Sequence, residues 1–183
     1  RMHNSMPWSS ATVRDKKVDM QALSVFQKFL ERHSLPVPSY HIVLGSGYGA
    51  ALGSFSWEKI GDLPFSELPG FPSSTVQDHA GSYRFYRKGK FSLCFQMGRV
   101  HGYEGHSATL AIQPVMVPRL AGVKNFVLTN AAGGLSMAHR PGDVMLIRDH
   151  VNLTGMNPLI GKNPVGVDGK DLGPRFPDMA KLY

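Results

Sequence analysis

Arg99, His101, Tyr103 and Glu104 stand almost side by side in the run Gly98-Arg99-Val100-His101-Gly102-Tyr103-Glu104-Gly105. They bring a guanidinium, an imidazole, a phenol and a carboxylate into one short segment. A guanidinium can fork onto two oxygens of a phosphate with charge-assisted hydrogen bonds. A lone arginine is ordinarily a surface charge, but these neighbours weaken that reading. In an extended segment alternate residues share a face, so the spacing predicts Arg99, His101 and Tyr103 on one side. Two strand-to-glycine junctions point the same way. Val127-Leu128-Thr129-Asn130-Ala131-Ala132-Gly133-Gly134 ends an apolar run in small polar and glycine residues, and Gly45-Ser46-Gly47-Tyr48-Gly49 follows the apolar His41–Leu44. Such junctions expose backbone N–H groups and let an oxyanion approach. The ligand these features suit is a small anion, most simply phosphate, beside a polar organic substrate.

Other chemistries fit less well. In Gly45–Gly49 the third glycine comes one residue early for a dinucleotide fingerprint, and no acidic residue stands suitably downstream. No Gly-Lys-Ser/Thr follows, so it is not a Walker loop. Leu44 occupies the place of the first glycine of a nucleophile elbow, which removes the context for Ser46 as a nucleophile. On its own the motif reads equally as a tight turn that needs small residues or as an anion loop in which Ser46 donates its hydroxyl. His79, His101, His139 and His150 lack the spacing of a metal site, and His139 and His150 suit structural or surface roles. Cys94 lies in an apolar run and reads as a core residue.

These residues need a scaffold, and 183 residues with 42% hydrophobic and 18% charged content suit one domain with a sizeable core. No apolar run reaches the roughly 18 residues that would span a bilayer. The first residues lack the apolar core of a secretory leader, and a single cysteine forbids an intrachain disulfide. The expected compartment is the cytoplasm. The net charge of +7 is thinly spread apart from Arg84-Phe85-Tyr86-Arg87-Lys88-Gly89-Lys90-Phe91. Cations interleaved with aromatics can bind single-stranded nucleic acid. The better reading is a hairpin turning near Lys88-Gly89, with its polar residues in water.

Along the chain, residues 1–17 read as a polar arm and 18–183 as a single domain. Asp19 caps a helix to about Arg32 that buries Ala22, Leu23, Phe26 and Leu30. His41–Leu44 is a buried strand. Gly61 to Ala80 is rich in proline and serine and reads as a long connection. Strands are expected at Ser82–Arg87, Phe91–Met97, Asn125–Thr129 and Asp143–Ile147. A helical stretch from Ser107 to Ala121 must be kinked or divided at Pro114 and Pro118. Gly155 to Pro177 reads as a long loop that is functional, mobile or packed on a partner. Strands alternating with helices argue for an α/β fold.

The motifs converge on one family. Gly45-Ser46-Gly47-x-Gly49, His79-Ala80-Gly81, Gly98-Arg99-x-His101-x-Tyr103-Glu104-Gly105 and Thr129-Asn130-Ala131-Ala132-Gly133-Gly134 resemble those of the trimeric purine nucleoside phosphorylases of the inosine/guanosine type. The match continues through Gly142-Asp143-x-Met145-Leu146-Ile147-x-Asp149-His150-x-Asn152 and Arg175-Phe176-Pro177-x-Met179. The resemblance implies a central mixed sheet, partly closed as a distorted barrel and flanked by helices, in a homotrimer. It implies reversible phosphorolysis of purine ribonucleosides and deoxyribonucleosides to the free purine and the sugar 1-phosphate. Ser46, His79, Arg99, His101 and the backbone at Ala131 would serve phosphate, with His79 at its entrance. Tyr103 would touch the ribose, as would Phe176 of a neighbouring subunit. His101, Tyr103 and Glu104 would form the catalytic group, with Glu104 steadying the site. Phosphate is then a substrate, and no metal or organic cofactor is implied.

Two features depart from the family pattern. Tyr48 stands where leucine is common. The family's chains also run on beyond the equivalent of Tyr183, through the part that grips the purine, so the domain is expected to be incomplete at its C-terminal side. Three alternatives follow: a methylthioadenosine phosphorylase, which Asn130–Gly134 fits less well; a non-catalytic truncated relative that binds phosphate or a partner; and a nucleic-acid binder, ranked last. The expected partners are purine nucleosides and phosphate, with neither nucleic acid nor a membrane.

Overall fold

The computed structural model describes residues 19–45, 48–71, 81–163, 165–166, 168–171 and 173. The polar arm read at residues 1–17 lies outside them. Helix α1 (Met20–Arg32) starts where Asp19 accepts hydrogen bonds from the N–H groups of Gln21 and Ala22. Its apolar stripe of Ala22, Leu23, Phe26 and Leu30 is buried, as the periodicity predicts. The helix ends with Ser34 in the left-handed region (φ 51°), Leu35 N–H donating to Leu30 O at 2.8 Å and Ser34 N–H to Glu31 O at 3.0 Å. That pairing satisfies the last carbonyls.

Strands β1 (Tyr40–Leu44), β2 (Glu58–Pro64), β3 (Ser82–Lys88), β4 (Phe91–Met97) and β5 (Asn125–Leu128) form one mixed sheet in the order β2-β3-β4-β1-β5. The β2-β3-β4 part is antiparallel, and β1 runs parallel to both β4 and β5. β3 and β4 are the expected hairpin: Lys88 pairs with Phe91 across a turn in which Gly89 takes φ 57°. The two arginines of this hairpin are engaged within the sheet. Arg84 Nε donates to Asp62 Oδ1 at 2.7 Å, and Arg87 Nη2 donates to Glu58 Oε2 at 3.1 Å.

β2 corrects the expected long connection, since its second half occupies Gly61–Pro64. Both apparent breakers have a place there. The register shifts between Lys59 and Gly61, so the glycine marks a bulge, and Pro64 sits at the end of an edge strand where a missing N–H is harmless.

The two faces of the sheet carry separate cores. Phe26 of α1 meets Tyr83 edge-on with ring centroids 5.2 Å apart, and Phe29 stacks on Phe85 at 4.7 Å. Val117 joins this cluster from the helical stretch, which is divided at Ile112 into α2 (Ala108–Ala111) and α3 (Gln113–Leu120). Tyr83 donates its hydroxyl to Pro114 O at 2.8 Å, tying α3 to the sheet. On the other face Leu44, Leu52, Tyr86, Leu93 and Phe95 pack together, with Leu52 supplied by a turn of 3-10 helix at Tyr48–Ser54. Cys94 is buried, as its apolar run suggests.

Two expectations are overturned. No strand forms at Asp143–Ile147, where Val144 is 92% and Leu146 87% exposed. A strand needs a neighbouring strand and a face to bury; among the described residues no strand lies alongside, and Val144, Met145 and Leu146 are exposed. The sheet is likewise open rather than partly closed as a barrel. Its order is linear, with β2 and β5 at the edges, because among the described residues no further strand pairs with β5.

His41 on β1 is fully buried, and burial, opposed by its hydrogen bond with Gln96, lowers its pKa from the usual 6.5 to about 4. The unfolded chain therefore takes up a proton that the folded chain refuses. Stability should fall as pH drops from about 6.5 towards about 4, by roughly 3 kcal/mol from this residue. Urea unfolding across that window checks the loss, which should flatten in His41→Leu.

Candidate active site

The parallel strands β4, β1 and β5 lie side by side, so their C-terminal ends open on one edge of the sheet. Gly98-Arg99 follows β4, Gly45 follows β1, and Thr129-Asn130-Ala131 follows β5. In open α/β sheets ligands bind in the crevice outside such strand ends. The two glycine junctions of the sequence are thus neighbours in space.

Thr129 joins them. Its N–H donates to Val43 O at 3.0 Å and its hydroxyl donates to the same carbonyl at 2.9 Å. The hydroxyl oxygen also accepts from Gly45 N–H at 2.9 Å. The approach is close enough to favour glycine, because a Cβ on Gly45 would lie 3.0 Å from both Asn130 Cα and Thr129 O, tighter than ordinary contact.

Arg99 enters from the third strand end. Gly98 takes φ 85°, and its carbonyl accepts from Gln96 Nε2 at 3.0 Å. The half-buried Arg99 then reaches towards β5, with Nη1 3.5 Å from Thr129 O. Among the described residues no carboxylate pairs with it. A guanidinium held beside two junctions, without a counter-ion, is suited to an incoming anion.

His101 and Tyr103 come together by a different route from the expected extended segment. His101 is extended, but Gly102–Glu104 form a turn of 3-10 helix ended by Gly105 at φ 82°. The two rings stack, 4.8 Å between centroids and 11° between planes. Period-two projection is therefore not what aligns them; ring stacking across the turn is. The turn is seated against Met156, whose sulfur occupies the space a Cβ on Gly102 would take. Tyr103 is 84% exposed, presenting an aromatic face and a hydroxyl to solvent. Glu104 lies 3.5 Å from His106 Nε2 rather than against Arg99. Ala131 is exposed beyond β5, where its carbonyl is 3.5 Å from Asn130 Nδ2. Ser46, His79 and Phe176 lie outside the described residues. His139 and His150 are exposed, away from the buried core.

Sequence reasoning singled out neither Thr129 nor the pair His41 and Gln96. A threonine closing an apolar strand just before a glycine-rich run was the available signal for the first. The second joins residues on different strands, and no local pattern marks it.

Residues 40–183 match the family model described as the phosphorylase superfamily. The chain belongs to this superfamily. A purine nucleoside phosphorylase 1 of Geobacillus stearothermophilus is 38% identical over 162 residues, covering 88% of this chain and 57% of the relative. The purine nucleoside phosphorylase of Mus musculus is 41% identical over 157 residues, covering 85% of this chain and 53% of the relative. The chain thus spans little more than half the length of these superfamily relatives. A crystal structure of isoform 2 of purine nucleoside phosphorylase from Schistosoma mansoni, in complex with cytosine and ribose-1-phosphate, superposes with a TM-score of 0.73 at 33% identity, covering 92% of this chain and 58% of that one. The Schistosoma mansoni enzyme in complex with inosine gives 0.70 at 29% identity, covering 92% of this chain and 58% of that one.

Replacing Thr129 by valine removes one hydroxyl with two hydrogen-bond partners and keeps the shape. The expected loss is about 1–3 kcal/mol, because Gly45 N–H loses its acceptor at a close backbone approach. Chemical denaturation measures it. Amide exchange should show faster opening at Gly45 than in the middle of β1.

Proposed function

We propose that this chain carries the phosphate and ribose side of a purine nucleoside phosphorylase, which cleaves purine ribonucleosides and deoxyribonucleosides reversibly with inorganic phosphate. The observation that carries the reading is Arg99, unpaired by any described carboxylate, at the meeting of the β4, β1 and β5 ends. The names of the relatives support the purine nucleoside substrate over the methylthioadenosine alternative. A Schistosoma mansoni neighbour bound to ribose-1-phosphate supports an anionic sugar ligand.

In the proposed reaction a phosphate oxygen attacks the anomeric carbon. The bond from that carbon to the purine nitrogen breaks, and the purine leaves with the bonding pair and takes up a proton. Cleavage develops oxocarbenium character on the sugar, which a neighbouring phosphate dianion stabilises. Arg99 orients the dianion, with Ser46, His101 and the backbone at Ala131 as further holders and His79 at the entrance. Tyr103 faces the ribose, Phe176 of a neighbouring subunit completes that wall, and Glu104 steadies the turn through His106. Alignment of two bound reactants supplies much of the acceleration, with no covalent enzyme intermediate. The reading includes a homotrimer, a cytoplasmic setting, and phosphate as substrate without a metal or organic cofactor. Among the described residues no helix is long and apolar enough to cross a membrane.

The test is release of free base from inosine and guanosine by the purified 183-residue chain, with and without phosphate. Release that depends on phosphate marks the chain as sufficient for the reaction, no release from a folded chain marks it as the phosphate- and ribose-binding part alone, and release indifferent to phosphate overturns the reading. Arg99→Ala should weaken phosphate use about 10- to 100-fold through loss of charge-assisted hydrogen bonds. Tyr103→Phe should lower turnover only about 2- to 10-fold, since one hydroxyl is lost and the ring stays. Steady-state kinetics in phosphate and in nucleoside separate the two effects.

A further inference from the structure

A line of polar groups runs through the core from Cys94 to the loop that delivers Arg99. His41 Nδ1 lies 3.4 Å from Cys94 Sγ, and His41 Nε2 lies 3.2 Å from Gln96 Oε1. Gln96 Nε2 then donates to Gly98 O at 3.0 Å. His41, Cys94 and Gln96 are all buried, on adjacent parallel strands in which His41 pairs with Cys94 and Val43 with Gln96. The Tyr83 ring from β3 and the Phe126 ring from β5 enclose the imidazole, with centroids at 5.8 and 5.6 Å.

The directions of these bonds follow from one fixed end. A backbone carbonyl only accepts, so the amide nitrogen of Gln96 must face Gly98 and its oxygen must face His41. His41 therefore carries its proton on Nε2, which leaves Nδ1 as the acceptor for the Cys94 thiol. Burial raises the Cys94 pKa well above its usual value, so the thiol keeps the proton it must donate. Cys94 gives, His41 and Gln96 each receive and give, and the Gly98 carbonyl receives at the end of the line, in the peptide that precedes Arg99.

That end point is the reason to see more than packing. Glycine takes positive and negative φ with similar ease, so the Gly98 turn at φ 85° is not selected by its own side chain. A hydrogen bond to its carbonyl does select it. The orientation of the peptide between Gly98 and Arg99 sets where the guanidinium starts, and no other part of the chain of bonds reaches solvent-side structure. We propose that Gln96, held in orientation by His41, is a positioning residue that aims Arg99 at the phosphate. The inference rests on the reading of Arg99 as the phosphate ligand.

The test compares inorganic phosphate binding, by titration calorimetry on the 183-residue chain, with thermal stability in the same variants. Gln96→Met leaves both His41 Nε2 and Gly98 O without partners. It should lower the Tm and weaken phosphate about 3- to 10-fold. Adding His41→Leu removes the buried unpaired imidazole. The double variant should regain stability but not phosphate affinity, because Gly98 O still lacks its donor. Recovery of both, or wild-type affinity in Gln96→Met, overturns the proposal. Arg99→Ala separates the two readings: if it binds phosphate like wild type, or wild type binds none, the assignment of Arg99 fails and the inference falls with it. Nitrogen chemical shifts of His41 in the wild-type chain provide a measure independent of how any variant folds. The Nε2–H tautomer is expected, and an Nδ1–H tautomer overturns the proposed line of bonds.

Discussion

The hydroxyl of Thr129 ties together the ends of the parallel strands β1 and β5. It donates to Val43 O and accepts from Gly45 N–H, each at 2.9 Å, just where β1 and β5 stop being a sheet. Beyond that point a parallel pair has no ladder of its own to keep the two chains in register. Threonine is suited to the task because its one oxygen both donates and accepts. Gly45 is suited to it because a Cβ there would lie 3.0 Å from the Thr129–Asn130 backbone, which would have to give by a few tenths of an ångström. The two glycine-containing junctions are consequently one structural unit, and Arg99 has a fixed carbonyl, that of Thr129, towards which to extend.

The charge of the chain is distributed in keeping with this. Arg84 and Arg87 are paired with Asp62 and Glu58 across β2 and β3, at the opposite side of the sheet order from β5. For Asp62, burial would raise the carboxyl pKa, but hydrogen bonds from Arg84 and Lys59 outweigh it and leave it lowered. Those cations serve the hairpin. Arg99 has no such partner among the described residues, although it is half-buried. Its charge is compensated neither by a carboxylate nor fully by water, an arrangement that favours an anionic ligand.

Much of the scaffold was legible in the sequence because it follows local periodicity. The stripe Ala22, Leu23, Phe26 and Leu30 marks α1, Asp19 marks its start, and the runs at β1, β3 and β4 are apolar enough to be strands. β2 was hidden because Gly61 and Pro64 read as breakers, and only a cross-strand partner reveals one as a bulge and the other as an edge residue. Asp143–Ile147 shows the converse. Its apolar residues have strand propensity, but propensity without a neighbouring strand leaves Val144 and Leu146 in water. The site shows the same division. Arg99, His101, Tyr103 and the two junctions were visible by residue type. The turn that stacks His101 on Tyr103, and the line from His41 through Gln96 to Gly98, depend on contacts no local pattern encodes.

Arg99, among the described residues at these strand ends, supplies an amount of positive charge that suits the proposed reaction. Phosphate must be bound firmly enough to align with the anomeric carbon, yet keep enough negative charge to stabilise an oxocarbenium-like sugar and attack it. Several cations around the anion would strengthen binding while lowering its nucleophilicity. They would also place positive charge beside a carbon that is itself becoming positive. Binding energy shared equally by ground and transition states adds nothing to turnover at saturation. Backbone N–H groups and hydroxyls at strand ends avoid that conflict, because they direct hydrogen bonds at the anion without neutralising it. Among the described residues Arg99 stands at the ends of β4, β1 and β5 beside three backbone junctions, an arrangement suited to holding an anion through direction more than through charge.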